Sequence, residues 1–454
     1  MQRRDFLTLA AASGLGLLLP PRKARAASLR YDGPYWITIQ CDGGWDPTSL
    51  CDPKGGTAGK KDSVNQAYTP EQIGRAGEFS YAPISIVVPT DTMGGTMEAY
   101  SAKKFFESYG SRVLVINGID TSTNNHETGR RVIWSGKSVE GYPAIGALAA
   151  ANVFGSTPVP MAYLSYGGYD VTGGSVPLTR ASNIDNLWRI AYPNRIDPKK
   201  ADSATYHTPA TADRIAKAQS ARASRLLTKE PVPVMRQALT GLLNVRQGDA
   251  GLADLSAYLP DKPVAIEDLE DVKLLPSNQR GRFNDTQNLI RQGQLALAAF
   301  QGGVGVSASL VTGGYDTHSD HDNQHIPRLV NVLRAVEYLL VQAEALGLRD
   351  KLYIAVSSDF GRTPFYNAGN GKDHWAVTSM ILSGPGIVGG RVIGATDAAF
   401  QPKTVDPKTL KESSTGTRIT PLHIHNALRK ISGLDKGTVS ARFPLGGESL
   451  PFFA

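Results

Sequence analysis

Residues Gly313–His325 read Gly-Gly-Tyr-Asp-Thr-His-Ser-Asp-His-Asp-Asn-Gln-His, which puts three of the eight histidines and three aspartates into thirteen positions. The run before them, Val304–Val311, is apolar and β-prone. The run after them repeats apolar residues at helical spacing: Ile326, Leu329, Val330, Leu333, Val336, Leu340 and Ala343. This pattern predicts a strand, an exit through two glycines, a polar loop, and a helix from Ile326 to Leu346 lying on a sheet by one face. Ligands of open α/β sheets sit at the carboxyl ends of strands, so the loop is a candidate site. Carboxylates and imidazoles without thiolates suit zinc, manganese or iron. Asp316, His318 and His321 are therefore candidate metal ligands.

The same arrangement recurs along the chain. Tyr35–Cys41 reads as a buried strand and ends in Asp42-Gly-Gly-Trp-Asp46, which adds Asp42 and Asp46 to the candidates. Arg112–Gly118 reads as a strand that runs into a polar loop with His126, Glu127, Arg130 and Arg131. Leu352–Asp359 reads as a strand closing on an aspartate, and the loop after it carries Arg362 and His374 before a further strand at Thr378–Ser383. Met161–Tyr166 is a shorter strand, followed by a second Gly-Gly-Tyr-Asp at 167–170. Strands alternating with helical runs predict a doubly wound α/β sheet with helices on both faces. Residues 52–95 read as loop, and Met97–Tyr109 and Pro143–Phe154 as helices. The stretch from about 180 to 300 reads as a mostly helical insertion or cap, with helical spacing at Ala212–Thr228, Val234–Asn244 and Asn284–Phe300. His207 within it reads as a surface residue. His423 and His425, two apart on a helix from Leu422 to Ile431, face different ways and do not form a shared ligand pair.

The first 26 residues read as an address. Arg3-Arg4 precedes a short apolar run, then Pro20-Pro21 and Ala24-Arg-Ala26, the pattern of a twin-arginine (Tat) export signal. That makes the Tat machinery a partner and the periplasm the destination, with 27–454 as a single α/β domain. The apolar run is too short to span a bilayer. Removing the signal takes away five basic residues and one acidic one, which lowers the formal charge from +7 to +3. The basicity thus lies mostly in the address and does not indicate a nucleic-acid partner. Cys41 and Cys51 are the only cysteines, and an oxidising compartment permits a disulfide between them.

Taken together, the twin arginine, Gly-Gly-Tyr-Asp-Thr-His with Asn323-Gln324, Ser358-Asp-Phe-Gly-Arg362 and Asp373-His-Trp375 resemble the family called domain of unknown function 1501, which is grouped with the alkaline phosphatase and sulfatase superfamily. The resemblance implies a central sheet with one or two divalent ions, Zn2+ or Mn2+, at its carboxyl edge. It implies that Asp316 and a nearby histidine hold one ion with His374. Asp359 would hold a second ion with Asp42 or Asp46. Phe360 stands where alkaline phosphatases carry an imidazole. The superfamily's nucleophile position falls near Thr48 and Ser49, and the sulfatase pattern of cysteine, x, proline, x, arginine is absent. The implied activity is hydrolysis of a small anionic phosphate or sulfate ester, with Arg362 clamping an anionic oxygen and His126 acting as general acid or completing the metal shell. The alternative is a non-catalytic, metal-stabilised envelope or export-assembly protein that keeps the fold.

Overall fold

The computed structural model describes residues 30–57, 60, 64–89, 95–157, 159–180, 184–231, 236, 240, 257–260 and 262–453. The expected export signal, 1–26, and most of the helical stretch expected at Val234–Asn244 lie outside the described residues.

The sheet is built from the apolar runs. Tyr35–Cys41 (β1) is buried at every position, as expected of a β-branched and aromatic strand covered on both faces. It pairs in parallel with Gly305–Thr312 (β5) on one side and Leu352–Ser358 (β6) on the other, with Ile37 opposite Ala308 and Ile354. The other strands are Leu114–Asp120 (β2), Met161–Ser165 (β3), Leu178–Arg180 (β4), Val377–Ser383 (β7) and Arg391–Ile393 (β8). In space they run β8-β2-β7-β6-β1-β5-β3-β4. Only β7 runs against its neighbours β6 and β2, while the remaining pairs are parallel. The loops that leave β1, β2, β5 and β6 therefore emerge on one edge. The reversed β7 starts on that same edge, so the residues just before it are delivered there too.

Alternate side chains of β1 and β6 enter opposite cores. Tyr35, Ile37, Ile39, Leu352, Ile354 and Val356 join the core beneath Asn284–Gln301 (α3) and His321–Ala345 (α4). Trp36, Tyr353 and Ala355 join the core beneath His126–Ser135 (α1), Ile145–Phe154 (α2) and Pro421–Ile431 (α5). Helices thus cover both faces of a large mixed α/β sheet, as expected.

Several local expectations change. α4 begins at His321, five residues earlier than the apolar stripe suggested, because Asp320 turns the chain left-handed just before it (φ 47°, ψ 46°). Its middle is buried all round, not on one face. Asn284–Gln301 packs along it, and Ala102–Tyr109 and the hairpin Ser85–Pro89/Thr96–Ser101 cover other sides. The first strand of that hairpin and the whole of a smaller one, Gly74–Ala76/Phe79–Tyr81, fall in the stretch expected to be loop. The expected helix from Met97 starts only at Ala102, where the Ser101 hydroxyl caps Lys104 N, because cross-strand pairing overrides local helical spacing. In the 180–300 stretch Pro209–Lys229 is largely exposed, while α3 belongs to the layer on the sheet.

Cys41 and Cys51 are separate, buried thiols, so no ring joins them. Burial raises both, Cys51 to about 12. No helix among the described residues is long and apolar enough to cross a membrane.

Candidate metal centre

The Asn125 side chain accepts from Thr128 N and starts α1, which leaves His126 as its first residue at the loaded edge of the sheet. Asp316 arrives four residues beyond β5 and His374 just before β7. One ligand atom from each of His126, Asp316 and His374 lies within 4.8 Å of the others. His126 Nε2 is 3.5 Å from Asp316 Oδ2, and His374 Nε2 is 3.2 Å from Asp316 Oδ1. His318 joins them, with Nε2 3.0 Å from Asp316 Oδ1 and 3.1 Å from His374 Nε2.

The other nitrogen of each ring identifies the tautomer. His374 Nδ1 lies 2.8 Å from the Asn124 carbonyl, His318 Nδ1 2.7 Å from Asp373 Oδ1, and His126 Nδ1 2.5 Å from Asp359 Oδ2. Carbonyls and carboxylates only accept, so each Nδ1 carries the hydrogen and, in the neutral ring, each Nε2 presents a lone pair. Three such lone pairs therefore converge on one carboxylate. Two imidazole nitrogens 3.1 Å apart need a proton or a cation between them. Tying Nδ1 to a carboxylate or carbonyl is also how metal-bound histidines are oriented. The donor set fits a divalent ion.

Electrostatics agree. Burial raises the Asp316 carboxyl, but the hydrogen bond and charge of Arg362 are the chief causes that outweigh it and hold the group at about 2. The bond to Asp359 raises the His126 imidazole. Phe360 lies beneath two of the rings, with centroids 4.7 Å from His126 and 4.6 Å from His374. The aromatic ring in that position forms an apolar floor.

The remaining expected ligands are not gathered around Asp316 and have other partners. Asp359 is fully buried. Its Oδ1 accepts from Gly43 N, Gly44 N and Ser358 Oγ and its Oδ2 from His126, so its oxygens are taken up by backbone and by the orientation of a histidine. Asp42 receives Gln40 Nε2 and a bidentate fork from Arg130, at 2.6 and 2.9 Å. Asp46 and His321 sit in a second, fully buried cluster, where Lys372 Nζ is 2.8 Å and His321 Nε2 3.2 Å from Asp46 Oδ2.

Arg362, expected to clamp an anionic oxygen, is wholly buried. Its guanidinium donates to the carbonyls of Gly43, Gly44 and Lys372 and, at 2.6 Å, to Asp316 Oδ1. It staples three loops from behind. The residues that sequence reasoning passed over are Arg130 and Lys372. Arg130 had a usable signal, since it lies one helical turn from His126 and so shares its face. Thr48 and Ser49 are buried, and both hydroxyls donate to Asp46.

No curated protein matches the chain in sequence. Among solved structures it is similar to the alkaline phosphatase from the Antarctic bacterium TAB5, at 10% identity over 80% of this chain and 95% of that one, with a TM-score of 0.30. It is also similar to the PsFucS1 sulfatase from Pseudoalteromonas sp., at 12% identity over 87% of this chain and 68% of that one, with a TM-score of 0.31. Residues 35–427 match the family described as "Protein of unknown function (DUF1501)", and the chain belongs to that family.

Proposed function

We propose that this chain is a metal-dependent hydrolase of small phosphate or sulfate esters, exported by the Tat pathway and active in the periplasm. The observation that carries the proposal is the convergence of His126, His318 and His374 through Nε2 on Asp316, with every Nδ1 already committed. The export proposal rests on Arg3-Arg4 and the apolar run behind them. Imidazole nitrogen with one carboxylate suits Zn2+ or Mn2+. Such an ion supplies positive charge to a phosphoryl or sulfuryl oxygen and makes water a better nucleophile near neutral pH.

The chain's own residues do the rest. Asp359 keeps the His126 lone pair aimed at Asp316, and Asn124 and Asp373 do the same for His374 and His318. Phe360 keeps water from the inner side of the rings. Arg130, about one third exposed and held by Asp42, offers the cationic edge that an anionic ester needs. Thr48 and Ser49 are turned inward to Asp46, so the attacking oxygen comes from water and the ester bond to phosphorus or sulfur breaks directly.

To test this, the exported protein is purified, its metal is counted, and phosphate mono- and diesters and sulfate esters are offered. Bound metal and turnover that both vanish in Asp316→Ala are expected. A metal-free protein that turns over none of these esters overturns the proposal. The burial of both hydroxyls also favours a second reading, a metal-stabilised envelope or export-assembly protein without catalysis. Metal that raises the melting temperature while every ester stays intact would select that reading.

A further inference from the structure

The buried cluster behind the candidate centre has a hydrogen-bond order that can be solved. The backbone N–H of Asp46 donates to His325 Nε2 at 2.8 Å, so His325 carries its hydrogen on Nδ1. That Nδ1 lies 3.0 Å from Thr317 Oγ1, which therefore accepts. The single Thr317 hydroxyl hydrogen then goes to His321 Nδ1 at 2.7 Å. His321 consequently keeps its hydrogen on Nε2 and donates it to Asp46 Oδ2 at 3.2 Å. The circuit closes on the residue where it began, with both rings neutral, as their burial requires.

Lys372 Nζ meets this circuit at Asp46, and its three donors are all used: Asp46 Oδ2 at 2.8 Å, Asn65 Oδ1 at 2.9 Å and Thr48 Oγ1 at 3.2 Å. Neither Lys372 nor Asp46 touches solvent. The groups around that ammonium, the Asp46 carboxylate, the Asn65 amide oxygen and the Thr48 hydroxyl, form an all-oxygen donor set of the kind Mn2+ takes. Here its one negative charge is already balanced by the ammonium. An ion entering beside Lys372 would meet a like charge inside a dry pocket, which is strongly unfavourable.

We propose that the Lys372 ammonium is a tethered cation filling what would otherwise be a second divalent-ion site, so the chain takes no ion at Asp46. The count of one ion in the wild type rests on the reading of the outer centre, whereas the closure of the inner one does not. Lys372 also lies next to Asp373 and His374. Its backbone N–H donates to Thr317 O and its carbonyl accepts from Arg362, so filling the inner site fixes the strand entry that carries the outer ligands.

Mn2+ binding tests the proposal, measured as equivalents per chain and as the shift of melting temperature with Mn2+. Wild type is expected to bind one equivalent and Lys372→Ala two, with the extra one lost again in Lys372→Ala/Asp46→Asn. Lys372→Met, which fills the space without the charge, is expected to stay at one. If wild type binds none and Lys372→Ala binds one, this proposal stands and the outer centre falls. Equal counts in wild type and Lys372→Ala overturn it. Should Lys372→Ala fail to fold, anomalous scattering from Mn2+-soaked wild-type crystals decides: a peak at Asp46 overturns the proposal, and its absence there supports it.

Discussion

His126 Nδ1 lies 2.5 Å from Asp359 Oδ2, a contact made across 233 residues of sequence that determines which nitrogen of the imidazole faces Asp316. Removing the charge on Asp359 while keeping its shape should loosen that orientation. Asp359→Asn is expected to weaken metal binding by roughly 10- to 100-fold, the usual effect of losing a partner behind a metal-bound histidine. Titration calorimetry on apo protein measures it. An unchanged affinity would mean that His126 is not held through Asp359.

Gly129 sets how near α1 comes to this contact. A Cβ there would stand 2.6 Å from the Asp359 carbonyl oxygen and 3.0 Å from Phe360 Cδ1. The obstacle is backbone, so the helix itself has to move. Gly129→Ala is expected to cost about 1–3 kcal/mol and to lower metal affinity, because His126 sits at the start of the same helix. Denaturant unfolding and metal titration together check it.

Asp316, His318 and His374 were legible in sequence because each follows or precedes a strong strand pattern, and parallel strands deliver such residues to one edge. The division of labour among the aspartates was not. Asp42, Asp46 and Asp359 all follow strands, and only their tertiary partners separate them: Arg130 for the first, Lys372 for the second, His126 for the third. The early start of α4 hid the inner cluster. With the helix expected from Ile326, His321 and His325 read as loop residues. They stand one helical turn apart with rings stacked at 4.3 Å. No local pattern marks Lys372 as buried, since lysine at that spacing ordinarily points to solvent.

The acid limb of stability should report buried histidines. Burial lowers the His425 imidazole to about 4, while its N–H donates to the Ile133 carbonyl at 2.8 Å. In the unfolded chain the group titrates near 6.5, so between these values the unfolded state binds the extra proton. Its contribution is therefore complete above about pH 6.5 and is lost as pH falls toward 4. About 2 kcal/mol should disappear between pH 7 and 5 from this residue alone. His325 and His321, also lowered by burial, add to the same trend. In His425→Gln the loss of stability over that interval should be smaller than in wild type, as read by melting temperature at each pH. Identical slopes would rule out a buried neutral His425.

Arg130 separates binding of an anion from binding of a metal. Two of its nitrogens, Nε and Nη2, grip Asp42, which keeps the guanidinium rigid at the rim, while Arg362 is sealed inside. An anionic ester reaching the ion would meet Arg130 and not Arg362. If Arg130 attracts the ester without taking part in bond cleavage, Arg130→Ala should raise KM at least about tenfold and leave kcat within a few-fold, which is how loss of uniform binding shows itself. Metal content should not change, since no Arg130 atom belongs to the histidine cluster. Arg130→Lys should recover only part of the loss, because a single ammonium cannot reproduce the fork held by Asp42. A fall in kcat with KM unchanged would instead place Arg130 in the chemical step. Loss of metal would mean that the Asp42 loop, not the guanidinium, is what the substitution disturbs.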